Sequence, residues 1–508
     1  MARVDIPLPG EGKDYNSKKS RATLINLMVE QNADGSFKSI KKREGLTTFA
    51  ATPTGEPIIS NLISDELTRV WFSGDTNLFE YQIATSTVVN LGAHGLAAAT
   101  YIEGAQNTSK PGPGTQNHKL FYNFNGGGVV YDGVITAIAD VDFTAQSPRS
   151  ITFSSNRFWF SGDSDIFFGS DPGTGLAYNP LTVGAADEAP GLMVAVKAIR
   201  SNLWIFTESN AEYWQAFSDP NLPLRRVQGA SLNVGATRPH RFSPVEKIEN
   251  VIFFLANDMS LREINGTNAV DVSGLDYKLK LAGDGTTELP DKGVELFVSS
   301  VDSLIHKYFI VTSRVLDPLS PTAGIVQFTY VYDAKTGLGH YRTSPDEEYW
   351  KGFKSVAFTQ NRVASESEKI VMMTSSDSFA GIPDDNVYRL DSNVYTDDGD
   401  DFDCILQTDS LSFDKDATIS FIEIEMETGV GNVDSTDPEM TVEYSKDGGV
   451  NFITWGTVKL GGSTDQSNRI RMNNFGRLVR YRDFILKLTI TEPVRVEFYG
   501  AYADISFG

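Results

Sequence analysis

The sequence predicts an all-β chain: a β-propeller-like array of hairpin blades followed by a C-terminal β-sandwich. Three observations carry this expectation. First, one phrase recurs. Val70-Trp-Phe-Ser-Gly-Asp-Thr-Asn-Leu-Phe-Glu-Tyr81 returns as Phe158-Trp-Phe-Ser-Gly-Asp-Ser-Asp-Ile-Phe-Phe-Gly169, with looser echoes from Leu203 to Trp214 and from Val251 to Arg262. Each copy is an aromatic or β-branched run, a polar turn and a second apolar run, which is the pattern of a hairpin. Second, the composition suits strands and tight turns, with 31 Phe, 19 Tyr and 44 Gly in 508 residues. Third, the pattern changes after residue 403 to strict alternation, as in Ile422-Glu-Ile-Glu-Met-Glu427. Alternation of that kind marks a strand with one face in a core and one in water.

Taken in order, residues 1–57 read as an extended N-terminal assembly arm. Pro7, Pro9, Gly10 and Gly12 oppose an early helix. The basic residues Lys18, Lys19 and Arg21, then Lys41, Lys42 and Arg43, are six of the nine Lys/Arg that residues 1–50 hold against six Asp/Glu, in a chain of net charge −22. Such an arm is expected to touch an acidic partner subunit and to be dispensable for folding. From 58 to 400 the hairpins recur at 58–90, 119–138, 151–169, 196–216, 247–272, 307–342 and 369–395. About seven such units match a propeller, whose blades leave only short protected edges. Leu275 to Leu281 has helical spacing and predicts a short helix. The run Asp397-Asp-Gly-Asp-Asp-Phe-Asp403 reads as a solvated acidic linker at the domain boundary. Residues 403–508, with further alternating strands at Met440 to Ser445 and Val494 to Phe498, then form the sandwich.

Candidate chemistry is sparse. Ser445-Lys-Asp447-Gly-Gly449-Val-Asn-Phe452 has the spacing of an Asp box. There the Asp closes a hairpin turn onto backbone N–H groups, Gly takes the left-handed position and the aromatic anchors the next strand. This is a folding device. The five histidines lie in no H-E-x-x-H, and no G-x-S-x-G supplies a nucleophile elbow. Glu208 and Glu212 flank a turn and do not make an acid–base pair. The clustered aspartates at 397–403 lack the loop glycine at its sixth-position spacing and the terminal glutamate of an EF-hand calcium loop. No catalytic residue, cofactor or metal is therefore expected.

Cys404 is the only cysteine, so no intrachain disulfide can form. The first ten residues contain Asp5 and two prolines and do not read as a signal peptide. The longest wholly apolar run, Val251 to Ala256, is too short to span a bilayer. Folding in a reducing cytoplasm is expected.

Several segments in order carry a family resemblance. Leu24-Ile-Asn-Leu-Met-Val-Glu30 and Lys42-Arg-Glu-Gly-Leu-Thr-Thr-Phe49 open it. Asn156-Arg-Phe-Trp-Phe160, Asn202 to Trp214 and Val331-Tyr-Asp-Ala334 continue it. Tyr444 to Gly449, Arg477-Leu-Val-Arg480 and Pro493 to Phe498 close it. The series resembles the packaged-DNA stabilisation proteins of short-tailed bacteriophages, also called tail accessory factors, tail hubs or nozzles. It spans nearly the whole chain and departs at 104–117 and 312–326. The resemblance implies a structural virion protein of the tail, assembled in the host bacterial cytoplasm. It implies a six-fold ring of copies below the portal and adaptor. That ring continues the DNA channel, retains packaged DNA and docks the tail needle and tailspikes or fibres. Double-stranded DNA would pass through the lumen without specific binding, which an acidic wall favours. The competing expectations are a sialidase-like propeller glycosidase, raised by the Asp box, and a host-glycan-binding tail module.

Overall fold

In the computed structural model the described residues are 2–9, 22–65, 68–96, 102–107, 117–124, 126–189, 191–238, 242–274, 277–278, 294–303, 306–315, 328–362, 366–375, 384–463, 469–479 and 483–507. They are almost entirely strand, with one short helix at Val141–Thr144. Five consecutive antiparallel four-stranded sheets come first: blade 1 within 63–93, blade 2 within 102–137, blade 3 within 150–185, blade 4 within 193–232 and blade 5 within 245–271. Blade 6 comprises Val294–Asp302, Lys307–Val315, Phe328–Asp333 and Leu338–Arg342. Blade 7 takes three strands, Gly352–Arg362, Glu366–Ser375 and Asn386–Asp391. Its fourth is Gly45–Ala51, paired antiparallel to Asn386–Asp391.

The recurring aromatic phrase now has a physical reason. Each blade is sandwiched between two others, so both faces of its middle strands are buried and successive side chains enter different cores. In Arg69–Ser73, Val70 and Phe72 pack with Met372 and Val387 of blade 7, while Trp71 packs with Phe121 and Val129 of blade 2. In Arg157–Ser161, Phe158 and Phe160 face blade 2 and Trp159 faces blade 4. In Asn202–Thr207, Leu203 and Ile205 face blade 3, and Trp204 and Phe206 face blade 5. Apolar clusters separate each successive pair of blades, and a further cluster joins blade 7 back to blade 1. Each individual sheet stays open.

The C-terminal sandwich is not made from C-terminal strands alone. One sheet sets Ala417–Met426, Arg469–Leu478 and Glu497–Phe507 beside Ala2–Asp5, Leu27–Gln31 and Phe37–Lys42. The other sets Cys404–Gln407, Glu439–Ser445, Ile453–Lys459 and Ile485–Ile490 beside Thr23–Ile25, which continues the sheet into Leu338–Arg342 of blade 6. Leu24, Leu27, Val29 and Ile40 are buried in the same core as Leu406, Ile422, Ile424 and Phe498. The described part of residues 1–57 is therefore woven into both domains, which corrects the extended-arm expectation. Local Pro and Gly signals mark where this segment turns; they do not leave it outside.

Two further expectations change. Lys41, Lys42 and Arg43 are not a solvated basic run. Lys41 pairs with Glu30, the Lys42 ammonium donates to the Glu492 carbonyl at 2.9 Å, and Arg43 is fully buried. Nor is Asp397 part of a solvated linker. Asp398 and Gly399 have positive φ, as an Asp-Gly hairpin turn requires, and they join Thr396–Asp397 to Asp400–Asp401. The turn delivers the buried Asp397 carboxylate to Arg43, which grips both of its oxygens at 2.9 and 2.6 Å. Lys18, Lys19, Arg21 and most of the expected 275–281 helix lie outside the described residues.

A chain beginning at Ile58 is thus expected not to fold, because it lacks the outer strand of blade 7 and four sandwich strands. Soluble expression with a cooperative melt would contradict this. Asp397→Ala is expected to destabilise the full chain by about 3–5 kcal/mol, since it strands a buried guanidinium. Urea denaturation near neutral pH measures this.

Candidate functional site: the axis of the blades

The Asp-box residues close a turn in the sandwich. The Ser445 hydroxyl donates to Asp447 Oδ1 at 2.7 Å and accepts from the Gly449 amide at 2.9 Å. Asp447 in turn accepts from the Asn451 amide at 3.0 Å and from its side chain at 2.8 Å. The Asn451 amide, with Ser445 next, holds the Asp447 carboxyl well below the usual carboxylate range. Gly448 and Gly449 both take positive φ, 76° and 87°. The Lys487 ammonium lies 5.4 Å from the centroid of the Phe452 ring. All four residues belong to the sandwich half of the chain.

The most chemically loaded cavity lies elsewhere, on the common axis of the blades. Its volume is about 130 Å³, and its wall is made by blades 2 to 7 with Asn61 and Leu62, which lead into blade 1. Lys197 sits in the first strand of blade 4, Glu246 in that of blade 5 and Lys354 in that of blade 7. Glu103 sits in the first strand of blade 2. The Lys197 ammonium donates to Glu246 Oε2 at 2.8 Å, and Lys354 donates to Glu246 Oε1. One carboxylate thus holds two ammonium groups. Burial pushes the Glu246 carboxyl up, but the two lysine charges outweigh it and hold it at about 2. Glu103 shows the opposite balance. It accepts from the Tyr122 hydroxyl at 2.9 Å and the Ser243 amide at 3.2 Å. Burial nonetheless dominates and raises its carboxyl above the ordinary value, against the pull of Lys354.

A second cavity, about 440 Å³, lies between the Leu27–Lys42 hairpin and blade 6. At its base Glu44 Oε1 lies 3.5 Å from His306 Nδ1, and Oε2 lies 3.8 Å from Arg342 Nη2. Burial raises the Glu44 carboxyl, but His306 and Arg342 together bring it below its ordinary value. Burial, reinforced by Arg342 and Arg43, holds the His340 imidazole well below its ordinary value.

Sequence reading missed both clusters. A signal existed: Lys197, Glu246 and Lys354 each interrupt or adjoin an apolar run at the start of a hairpin, in Met193–Ile199, Val245–Ile248 and beside Phe353. Glu208 Oε1 lies 3.8 Å from the Arg238 guanidinium. Glu212 accepts from the Trp214 indole at 3.1 Å, as Glu80 does from Trp71 at 3.0 Å. Among the described residues no group of three or more His, Cys, Asp or Glu is placed to hold a metal. Among them, too, no helix is long and apolar enough to cross a membrane.

No family model matches this chain, and no curated protein does. Solved structures similar to parts of it include a computationally designed protein, Ika8, at 10% identity and a TM-score of 0.37. That likeness covers 68% of this chain and 99% of the other. A chain of the mitotic checkpoint complex is similar at 11% identity and a TM-score of 0.36, covering 69% of this chain and 95% of that one.

The two axial carboxylates predict opposite pH behaviour. The folded-state value of Glu246 is depressed, from 4.5 to about 2. Its contribution is present above pH 4.5 and is lost as pH falls toward 2, and a depression of that size is worth about 3 kcal/mol. Glu246→Gln should therefore destabilise the protein near pH 7, with the difference from the native chain shrinking below pH 4.5. The folded-state value of Glu103 is raised, so ionising it costs stability as pH rises above its unfolded value of 4.5. Glu103→Gln should be as stable as the native chain, or more so, at pH 7. Chemical denaturation across pH 3–8 checks both signs.

Proposed function

We propose that this chain is a structural subunit of a short-tailed phage tail, a hub or nozzle protein whose copies form a ring. The ring would extend the DNA channel below portal and adaptor, retain the packaged genome, and dock tail needle and tailspikes. The observation that carries this reading is the stoppered axis. A cavity of only about 130 Å³ lies there, crossed by Glu246 and its two lysines. A duplex whose major groove alone is about 12 Å wide cannot pass it. If DNA moves past this protein it runs between copies, and each chain is one segment of wall. The ordered series of motifs described above supports the same reading.

The net charge of −22 supports a wall that slides along DNA. Lys and Arg facing a lumen would bind phosphates and drag on the exit, whereas Asp and Glu repel them. The glycosidase reading has less support. A sialidase-type site needs an arginine cluster at the axis, and the described axial lining offers Lys197 and Lys354 instead. The Asp box that raised that reading sits in the sandwich.

The purified protein, weighed alone and with a portal–adaptor complex, tests the proposal. The expected outcome is a ring of copies on the adaptor and no retardation of duplex DNA by the free protein at about 0.1 M salt, where the Debye length is near 10 Å. Failure to join the complex, tight DNA binding, or glycan hydrolysis abolished by one substitution would each overturn it.

A further inference from the structure

We infer that the axial cavity is a binding site for one small inorganic anion of the halide class, held between the Lys197 and Lys354 ammonium groups. The first ground is donor supply. A lysine ammonium carries three N–H donors. Among the described residues each of these two gives one to Glu246, which leaves donors on both. The neighbouring neutral donors are already engaged: the Ser355 hydroxyl donates to the Ser300 carbonyl at 2.7 Å, and the Asn61 side chain to the Gly104 carbonyl at 3.0 Å. The Phe242 and Phe353 rings lie 5.4 and 5.7 Å from the Lys354 ammonium and offer only their faces.

The second ground is charge. Two ammonium groups share one carboxylate, and their side chains are only 20% and 8% exposed. The nearby Glu103 is the other possible counter-charge, but its two oxygens accept from Tyr122 and Ser243, and among the described residues it makes no ion pair with either lysine. A buried cationic surplus is costly unless an anion pairs with it.

The third ground is size. The cavity of about 130 Å³ has room for a halide together with waters, since about 10–15 Å³ of such volume holds one water. The ion would tie blade 4 to blade 7 across the axis, at the point where blade 5 supplies their shared carboxylate.

Crystals of the full chain soaked in bromide, together with melting of the full chain in sodium bromide and sodium gluconate at equal ionic strength, test this. The expected result is an anomalous peak between the two ammonium groups and a higher melting temperature in bromide than in gluconate. Lys197→Met should lose both. Absence of the peak, or an equal bromide shift in Lys197→Met, overturns the inference. If that variant does not fold, the anomalous map of the native protein decides alone. The outcome is independent of ring assembly, so it separates this inference from the proposed role in the tail.

Discussion

The Arg43–Asp397 pair is the contact on which both domains close. Arg43 is fully buried, and all five of its guanidinium N–H groups are accounted for. Nε donates to Asn26 Oδ1 at 2.7 Å. Nη1 donates to Asp397 at 2.9 Å and to the Glu44 carbonyl at 2.8 Å. Nη2 donates to Asp397 at 2.6 Å and to the Thr343 carbonyl at 2.7 Å. The Phe402 ring lies 3.7 Å from the guanidinium carbon. Asp397 accepts in addition from the Leu46 amide at 3.1 Å and the Ser344 hydroxyl at 2.9 Å. The pair therefore joins the N-terminal segment, the end of blade 6 and the hairpin leading into the sandwich. A buried ion pair is worth its desolvation only when its remaining donors and acceptors are satisfied. Here they are, and the interaction fixes a unique register between distant pieces of chain.

Asn26 makes this geometry possible. It has φ of 55° and no exposure, at the point where the chain leaves Thr23–Ile25 in one sandwich sheet and enters Leu27–Gln31 in the other. Asn tolerates the left-handed region better than most residues because its side chain can bond locally. Here that side chain also donates to Thr343 Oγ1 at 2.7 Å and the Asp403 carbonyl at 2.8 Å. One kinked residue thus serves the sheet change and the buried polar network together.

The blades were legible because each obeys a local rule. A strand buried on both faces reads as a continuous apolar run, so Val70-Trp-Phe72 and Phe158-Trp-Phe160 announce themselves without knowledge of their neighbours. The alternating strand at Ala417–Met426 was equally plain, with Ile422, Ile424 and Met426 inside. Arg43, Asp397 and the N-terminal strands were not legible. Their partners lie hundreds of residues away, and periodicity holds no record of long-range pairing. Nor does it distinguish Lys197, Glu246 and Lys354 from ordinary solvent-facing charges in a half-exposed strand. That distinction arises only when the blades are set about one axis.

The strand Gly45–Ala51 has a consequence for how the protein is made. It leaves the ribosome early, yet Ala51 waits for Asn386 as its pairing partner. At about 5–20 residues per second, the intervening stretch of about 340 residues takes roughly 20–70 s to synthesise. For that whole interval a strand edge and the sandwich residues Leu24, Leu27, Val29 and Ile40 lack their native cover. Contacts of such high sequence separation form slowly and only late. The nascent chain therefore spends its synthesis as a row of partly formed blades with an unclaimed beginning. Asn386–Asp391 closes the last blade, and the strands after it then complete the sandwich. Cellular factors that shield hydrophobic nascent segments would meet this chain at its start, and release it only at its end.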